Sequence, residues 1–509
     1  MGGRLWGCRL NRSQFRLLIV SNRLPVTVRH DGERPRLDVS SGGLVTALSP
    51  VAEQQLVTHW IGWTGTEDND EIKAVLRTSG TNGLVYLPVF LPKDEADGYY
   101  AGFSNEILWP LFHDLQSRCN FEPGYWDSYQ SVNMRFAKAA LDAAADCDLV
   151  WVHDYHLMLV GAFLRQLGIR KKLAFFLHIP FPAPDIFEKL PWGRQILHAL
   201  LQYDLVGFQT RRDRQNFIAS ARRVEDSLKM HRSGRHLEIE QNERRTLVGA
   251  FPISIASHDW KRASESPAVQ AKAQRIRHAM AGQQIVLGVD RMDYTKGIPE
   301  RLQAFECLLK NHPGLRGRIS LIQLAVPSRE GLSKYCDLRQ RVQQLVSRIN
   351  GHYGEPGWVP VHYLYRHLHR EQLLAYYAAA DIALITPLKD GMNLVAKEYC
   401  MAKRTGDGAL ILSRFAGAAH ELQEGAVLVN PYHHMQVAEA IRKTSLLPEA
   451  ERRNRMRLLQ QTITRNDVFR WCGDFLAAAG LGETGKEAGL CHTGSMRSKE
   501  LSKIAACVA

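Results

Sequence analysis

The chain reads as an α/β protein made of two doubly wound domains in tandem. Three observations carry that reading. Short strands are apolar on both faces, amphipathic helices separate them, and one break divides them into two series. The first series runs "RLLIVSN" (16–22), "GLVYLPVF" (83–90), "DLVWVHD" (148–154), "KLAFFLHI" (172–179) and "LVGFQT" (205–210). The second runs "QIVLGVD" (284–290), "RISLIQLA" (318–325), "VHYLY" (361–365), "IALIT" (382–386) and "GALILS" (408–413). Helical patterns such as "ERLQAFECLLK" (300–310) and "REQLLAYYAAA" (370–380) lie between them. The break falls near "FPISIASHDW" (251–260), ahead of the helical "VQAKAQRIRHAM". Two such domains place a ligand where the carboxyl ends of their strands face each other.

Composition bounds the answer from the other side. A chain of 509 residues is too long for one core, and 45% hydrophobic content can fill more than one. The longest apolar runs fall far short of the roughly 18 residues a membrane span needs. The start, "MGGRLWGCRLNRSQFR", is basic without the apolar stretch of a secretory signal. Trp6 stands where myristoylation of Gly2 wants Ser or Thr. Nine cysteines are scattered with no C-x-x-C pair, which suits a reducing cytoplasm. The net charge is +13, which fits nucleic acid or phosphorylated substrates. The densest basic stretch (211–245) interleaves acids and reads as solvated helix faces, without base-stacking aromatics, so nucleic acid is set aside. The division expected is a loose extension over 1–15, a first domain over 16–255 and a second over 256–478. The last helix of the second is free to pack back on the first. A small, polar, Gly-rich tail over 479–509 reads as disordered.

Polar groups stand at nearly every strand end. Arg23 follows the first strand, and Gly42 and Gly43 open the pattern "SSGGLVTAL". Such a pair lets a phosphate approach backbone N–H groups, and equally makes a plain turn. "VHDYHLM" sets His153, Asp154 and His156 together. Metal ligation is open to them, but no further ligand motif accompanies them, and a hydroxyl-binding role suits Asp154 better. His178 precedes three prolines and reads either as a site residue or as a core histidine.

"GVDRMDYTKGIPERL" (288–302) puts Arg291 and Lys296 where a buried strand hands over to a helix. Cations held there are either solvated or matched by an anion, and a fork plus a point charge suits a diphosphate. In "TPLKDGMNLVAKEY" (386–399), Asp390 and Gly391 form a turn, with a helix expected from about Met392. Glu398 lies eight residues past Asp390, about two turns on, and reads as a ribose ligand or a surface acid.

Seven motifs in one order, "SNRLPV", "SSGGLVTAL", "YYAGFSNEILWP", "VHDYHL", "LHIPFPAPDIF", "GVDRMDYTKGIPERL" and "TPLKDGMNLVAKEY", resemble the trehalose-6-phosphate synthase family over about residues 16–475. That family comprises retaining glycosyltransferases of the GT-B architecture, two Rossmann-like domains facing across a cleft. The resemblance implies glucose transfer from UDP-glucose to glucose 6-phosphate, giving α,α-trehalose 6-phosphate and UDP, with no metal or other cofactor. A cytoplasmic enzyme, a homo-oligomer, and no nucleic acid or membrane partner complete the expectation. The donor site it implies comprises Gly42, Gly43, Arg291, Lys296, Leu368, Asp390, Gly391, Met392, Asn393, Leu394, Val395 and Glu398. The acceptor site comprises Arg23, Trp63, Tyr100, Trp109, Asp154 and Arg329. Asp154, His178, Arg291, Lys296 and Asp390 stand at the reacting centre. One departure is Lys389, where arginine is common. No phosphatase-type aspartate motif accompanies these. Competing readings are a synthase of another phosphorylated glucoside such as glucosylglycerol phosphate, a synthase using ADP- or GDP-glucose, and a catalytically silent sugar-phosphate sensor.

Overall fold

The computed structural model describes residues 15–31, 34–39, 48, 57–78, 84–225, 227–329 and 332–481. Its strands are β1 (Leu17–Arg23), β2 (Val26–Asp31), β3 (Arg34–Val39), β4 (Val57–Trp63), β5 (Val85–Val89), β6 (Leu149–His153), β7 (Lys172–Phe176) and β8 (Leu205–Phe208). Then come β9 (Lys229–Ser233), β10 (His236–Gln241), β11 (Arg244–Ala250), β12 (Gln284–Arg291) and β13 (Ile319–Val326). β14 (Val361–Tyr365), β15 (Ile382–Ile385), β16 (Ala409–Ser413) and β17 (Val427–Val429) complete the set.

Two sheets organise the chain. The first has the order β5-β4-β1-β6-β7-β8-β11-β10-β9, and the second β14-β13-β12-β15-β16-β17. The second is parallel throughout. Its order, counted from β12, is 3-2-1-4-5-6. The sequence of connections therefore reverses between β12 and β15, where a doubly wound sheet opens a crevice. The first sheet reverses between β1 and β6. Central strands are dry on both faces: Leu17, Leu18, Ile19 and Val20 are fully buried, as are Val286, Leu384 and Ile411. Burial of that kind is what continuous apolar runs anticipate.

The basic stretch after residue 211 differs from the sequence reading. A helix occupies Arg211–Val224, but β9, β10 and β11 follow it. β11 joins the sheet parallel to β8, and β10 and β9 add antiparallel. The charges there pair between neighbouring strands: Arg245 of β11 with Glu238 and Glu240 of β10, and Lys229 of the edge strand β9 with Glu240. Charge along an edge keeps it from pairing with another chain. Charge density drew the stretch toward helix, while its period-two alternation belonged to strands.

Near its end the described chain returns to the first sheet. Asp467 caps the helix Val468–Ala478 by accepting from the Arg470 N–H. From that helix Phe475 stacks on Trp151 of β6, with ring centroids 4.4 Å apart. Trp471 meets Phe176 of β7 edge-on and donates its Nε1–H to the Phe251 carbonyl at 3.1 Å. Leu481 is still buried, and Lys172 donates to the Ala479 carbonyl. No helix among the described residues is long and apolar enough to cross a membrane.

Candidate active site

The two reversal points face each other, and the strands beside them deliver the polar groups. β1 ends at Arg23, β6 is followed by Asp154, β12 ends at Arg291, and β15 leads into the loop holding Asp390.

The turn after β12 is set by local chemistry. Asp293 accepts from the Thr295 N–H at 3.0 Å, closing a short 3₁₀ turn over Tyr294–Lys296. Gly297 then takes φ 65°, and a Cβ there would meet the Thr386 carbonyl at 2.6 Å, so both conformation and space call for glycine. The helix Ile298–Asn311 follows, with Arg301 fully buried. Its guanidinium binds Asp290, Gln323 (2.9 Å), Thr386 (3.1 Å) and the Lys296 carbonyl (3.4 Å). One buried cation thus bolts the loop after β12 to the loop after β15. Sequence reasoning passed over Arg301, yet its phase was legible. It falls in the apolar stripe of Ile298, Leu302, Phe305 and Leu309.

Lys296 and Arg291 part company. The Lys296 ammonium, nearly buried, lies 2.7 Å from Asp390 Oδ2. The Arg291 side chain is exposed to the cleft, its guanidinium 5.7 Å from the Trp109 ring centre. The choice between solvent and a bound anion was therefore incomplete for Lys296, whose partner here is a carboxylate. Burial by itself would raise Asp390, but Lys296 reverses that and holds the carboxyl below its ordinary range.

The helix expected from Met392 starts at Leu394. Asn393 is its cap, at φ 81°, accepting from the Ala396 N–H at 3.1 Å while donating to Asp390 at 3.1 Å. Asparagine tolerates this left-handed backbone better than most residues. Asp390 accordingly sits in the loop, bridged to Ala416, and only Glu398 rides the helix. Gly391 brings that loop against the first lobe: a Cβ there would lie 2.1 Å from the His178 carbonyl. Glu398 accepts from the Tyr377 hydroxyl at 3.0 Å, and burial pushes its carboxyl up to about 7 despite Tyr377 and Arg370. Leu368, Leu394 and Val395 are half-buried on the apolar core of this lobe, and Met392 is buried in it. Lys389 points elsewhere, pairing with Asp114 of the first lobe at 2.7 Å.

Across the cleft, Arg23 lies 3.8 Å over the Trp63 ring and 5.6 Å from the Tyr100 ring. Tyr100 stacks on His156. Trp109 lies under the Arg329 guanidinium at 4.3 Å. Burial would raise the Tyr100 phenol, but Arg329, Arg23 and Arg291 outweigh it and hold it below its usual range. Asp154, at φ 75°, accepts from the His178 N–H at 3.2 Å. Burial lifts its carboxyl to about 6, against the pull of two N–H groups and of Arg291 and Arg329. His178 Nε2 lies 3.1 Å from His153 Nδ1, and burial lowers His178 to about 3, so the imidazole pair is neutral at ordinary pH. Among the described residues no group of three or more His, Cys, Asp or Glu side chains could hold a metal ion. Gly42 and Gly43 lie outside the described residues.

The two lobes also touch directly. Trp109 Nε1–H donates to Asp293 at 3.3 Å, and Arg329 donates to the Tyr155 hydroxyl at 3.2 Å. Asp293, Tyr155 and Tyr335 were not singled out from sequence as site residues. Their contacts span distant parts of the chain.

The family model for glycosyltransferase family 20 matches residues 15–480. The chain belongs to glycosyltransferase family 20. It is 43% identical over 476 residues to the trehalose-6-phosphate synthase of Mycolicibacterium smegmatis, covering 92% of this chain and 93% of that one. Among solved structures it is similar to an E. coli chain, described as trehalose-6-phosphate bound with UDP-2-fluoro glucose (TM-score 0.81, 34% identity, 92% and 99% of the two chains). It is also similar to a UDP-forming α,α-trehalose-phosphate synthase from Burkholderia xenovorans in complex with glucose-6-phosphate (TM-score 0.83, 32% identity, 91% and 100% covered). The architecture of this family 20 chain is GT-B.

Proposed function

We propose that this chain moves glucose from UDP-glucose to glucose 6-phosphate with retention, releasing UDP and α,α-trehalose 6-phosphate. One observation carries the reading: the strand ends at the two reversal points and the segment after β13 converge on one cleft that holds Arg23, Arg291, Lys296 and Arg329. Two anionic substrates account for that number of cations in one place.

In this reading Arg291 and Lys296 hold the donor diphosphate and stabilise the charge that develops as UDP leaves. Gly42 and Gly43 approach the same donor by backbone. Asp390, Gly391, Met392 and Asn393 take the donor glucose together with His178. Leu368, Leu394 and Val395 flank the base, and Glu398 takes the ribose. Arg23 and Arg329 take the acceptor phosphate, and Trp63, Tyr100, Trp109 and Asp154 position the acceptor sugar. Lys296 is shared: the diphosphate draws it from Asp390, which then has an oxygen for a sugar hydroxyl. Among the described residues no side chain in the cleft combines a nucleophile with an adjacent base. Asp154 is held by the His178 N–H, Asp390 by Lys296 and Asn393, and neutral His178 by His153. A leaving-phosphate oxygen therefore takes the acceptor's proton on the same face, and the protein contributes positioning and charge. The reading further places the enzyme in the cytoplasm as an assembly of identical chains; light scattering of the purified protein tests the second point.

The deciding experiment is UDP release across a panel of donors (UDP-, ADP- and GDP-glucose) and acceptors (glucose 6-phosphate, glycerol 3-phosphate, glucose), with the product's anomeric configuration read by NMR. Turnover with UDP-glucose and glucose 6-phosphate, and an α,α product, is expected. Preference for another pair, or no turnover with any, overturns the reading.

Glu398 adds a pH dependence. Its ordinary value of 4.5 rises to about 7 in the fold, so its contribution to stability is complete below about 4.5 and is lost as pH climbs through 7. Ribose hydroxyls donating to the carboxylate favour its charged form. Donor binding then releases a proton near neutrality, and UDP-glucose affinity rises by about tenfold from pH 6 to 8. Titration calorimetry in buffers of different ionisation enthalpy reads this release. Glu398→Gln should flatten it; an unchanged proton release in that variant refutes the ribose role.

A further inference from the structure

A carboxylate at the centre of a cleft for two polyanions needs a reason. Asp293 is fully buried and stands between the donor cations and the acceptor arginine. Its Oδ1 accepts from Trp109 Nε1 of the first lobe (3.3 Å), the Thr295 N–H (3.0 Å) and the Thr295 hydroxyl (2.9 Å). Its Oδ2 accepts from Arg329 Nη1 (3.3 Å) and the Tyr335 hydroxyl (3.4 Å). Tyr335 in turn lies 2.5 Å from the same Arg329 nitrogen. Arg329 is itself held at φ 50°, off the helical and extended backbone regions.

We infer that Asp293 is a positioning residue that couples the two substrate subsites. One of its oxygens fixes the donor loop and the first lobe's Trp109, while the other aims Arg329 at the acceptor phosphate, with Tyr335 as the second brace. The residue touches neither substrate. Its charge holds Arg329 and the neighbouring Arg291 together before any anion arrives, where two unmatched cations would repel one another, while Lys296 already has Asp390 as its partner. Its bond to Trp109 makes the acceptor subsite depend on closure of the lobes. A ligand that closes the cleft on one side therefore prepares the other, which is a coupling free energy between sites.

The inference rests on the proposed substrates, and its test separates the two. UDP and glucose 6-phosphate binding are measured by calorimetry, each with and without the other, alongside steady-state kinetics. In the wild type each ligand is expected to tighten the other. In Asp293→Asn the amide turns one acceptor into a donor facing Arg329 and Tyr335. UDP alone should bind within threefold of wild type, the mutual tightening should vanish, and the KM for glucose 6-phosphate should rise at least tenfold. Tyr335→Phe removes only a hydroxyl and keeps the carboxylate. It should raise the acceptor KM three- to tenfold, leaving kcat and the donor KM within twofold. It also keeps the question answerable if the asparagine variant does not fold. A folded Tyr335→Phe protein with an unchanged acceptor KM overturns the inference, as does an Asp293→Asn protein that retains the coupling. Wild-type protein inactive with this substrate pair instead overturns the proposed function.

Discussion

Lys296→Ala is expected to lower kcat by about 10²–10³-fold, the usual cost of removing one preorganised partner of a developing anion. It should also destabilise the unliganded protein. Lys296 and Asp390 are both mostly buried and 2.7 Å apart, and deleting one member of such a pair leaves an uncompensated charge at a cost of about 3–5 kcal/mol. The two effects come apart in a double variant. Lys296→Ala with Asp390→Asn should recover most of the lost melting temperature and none of the activity, because the stranded charge is gone while the diphosphate still lacks its cation. Calorimetric melting and turnover at saturating substrate decide the matter. A single variant with kcat within fivefold of wild type rejects the diphosphate role. A double variant that melts no higher than Lys296→Ala rejects the ion pair as the source of the instability.

The second large effect falls on the acceptor. Arg329 is buried among Asp293, Tyr155 and Tyr335 and stacked on Trp109. Hydrogen bonds to charged groups contribute about 1.5–3 kcal/mol each, so Arg329→Ala should raise the KM for glucose 6-phosphate by roughly 10²-fold. The donor KM should stay within threefold. Arg329→Lys should rescue little, because an ammonium cannot reproduce a planar fork braced by three oxygens and an indole face. Steady-state kinetics with each substrate varied in turn measures this. An unchanged acceptor KM, or a donor KM that moves as far as the acceptor's, removes Arg329 from the acceptor subsite.

Legibility of the site varied with how local its causes were. Arg23, Asp154, Arg291 and Asp390 could be singled out as candidates because strand ends are readable from apolar runs and functional groups gather there. The start of the helix at Leu394 was misjudged by two residues. Asn393 caps it from a left-handed backbone, a choice that depends on its bond to Asp390. Arg301 carried a signal in its helical phase, since a charged residue inside an apolar stripe is a buried one. β9–β11 were overlooked for the opposite reason: charge was weighed above alternation. β4 also went unread, because "VTHWIGW" interrupts its apolar residues with Thr58, His59 and Gly62, although most of the strand is buried. Asp293 stood inside a quoted motif, but nothing next to it in the chain announces Trp109, Arg329 or Tyr335.

From the chain's letters alone came the two doubly wound units, the strand ends that carry chemistry, and the family whose motifs those ends spell out. All of these rest on periodicity and on residues within a few positions of each other. Tertiary structure alone decided who partners whom: Lys296 with Asp390 across 94 residues, Arg329 with Tyr155 across 174, and Trp109 with Asp293 across 184. Such pairs form only once two sheets have packed and their reversal points meet. Burial then sets the charge states of Asp154 and Glu398, because desolvation is a property of the packed surroundings and not of the residue type.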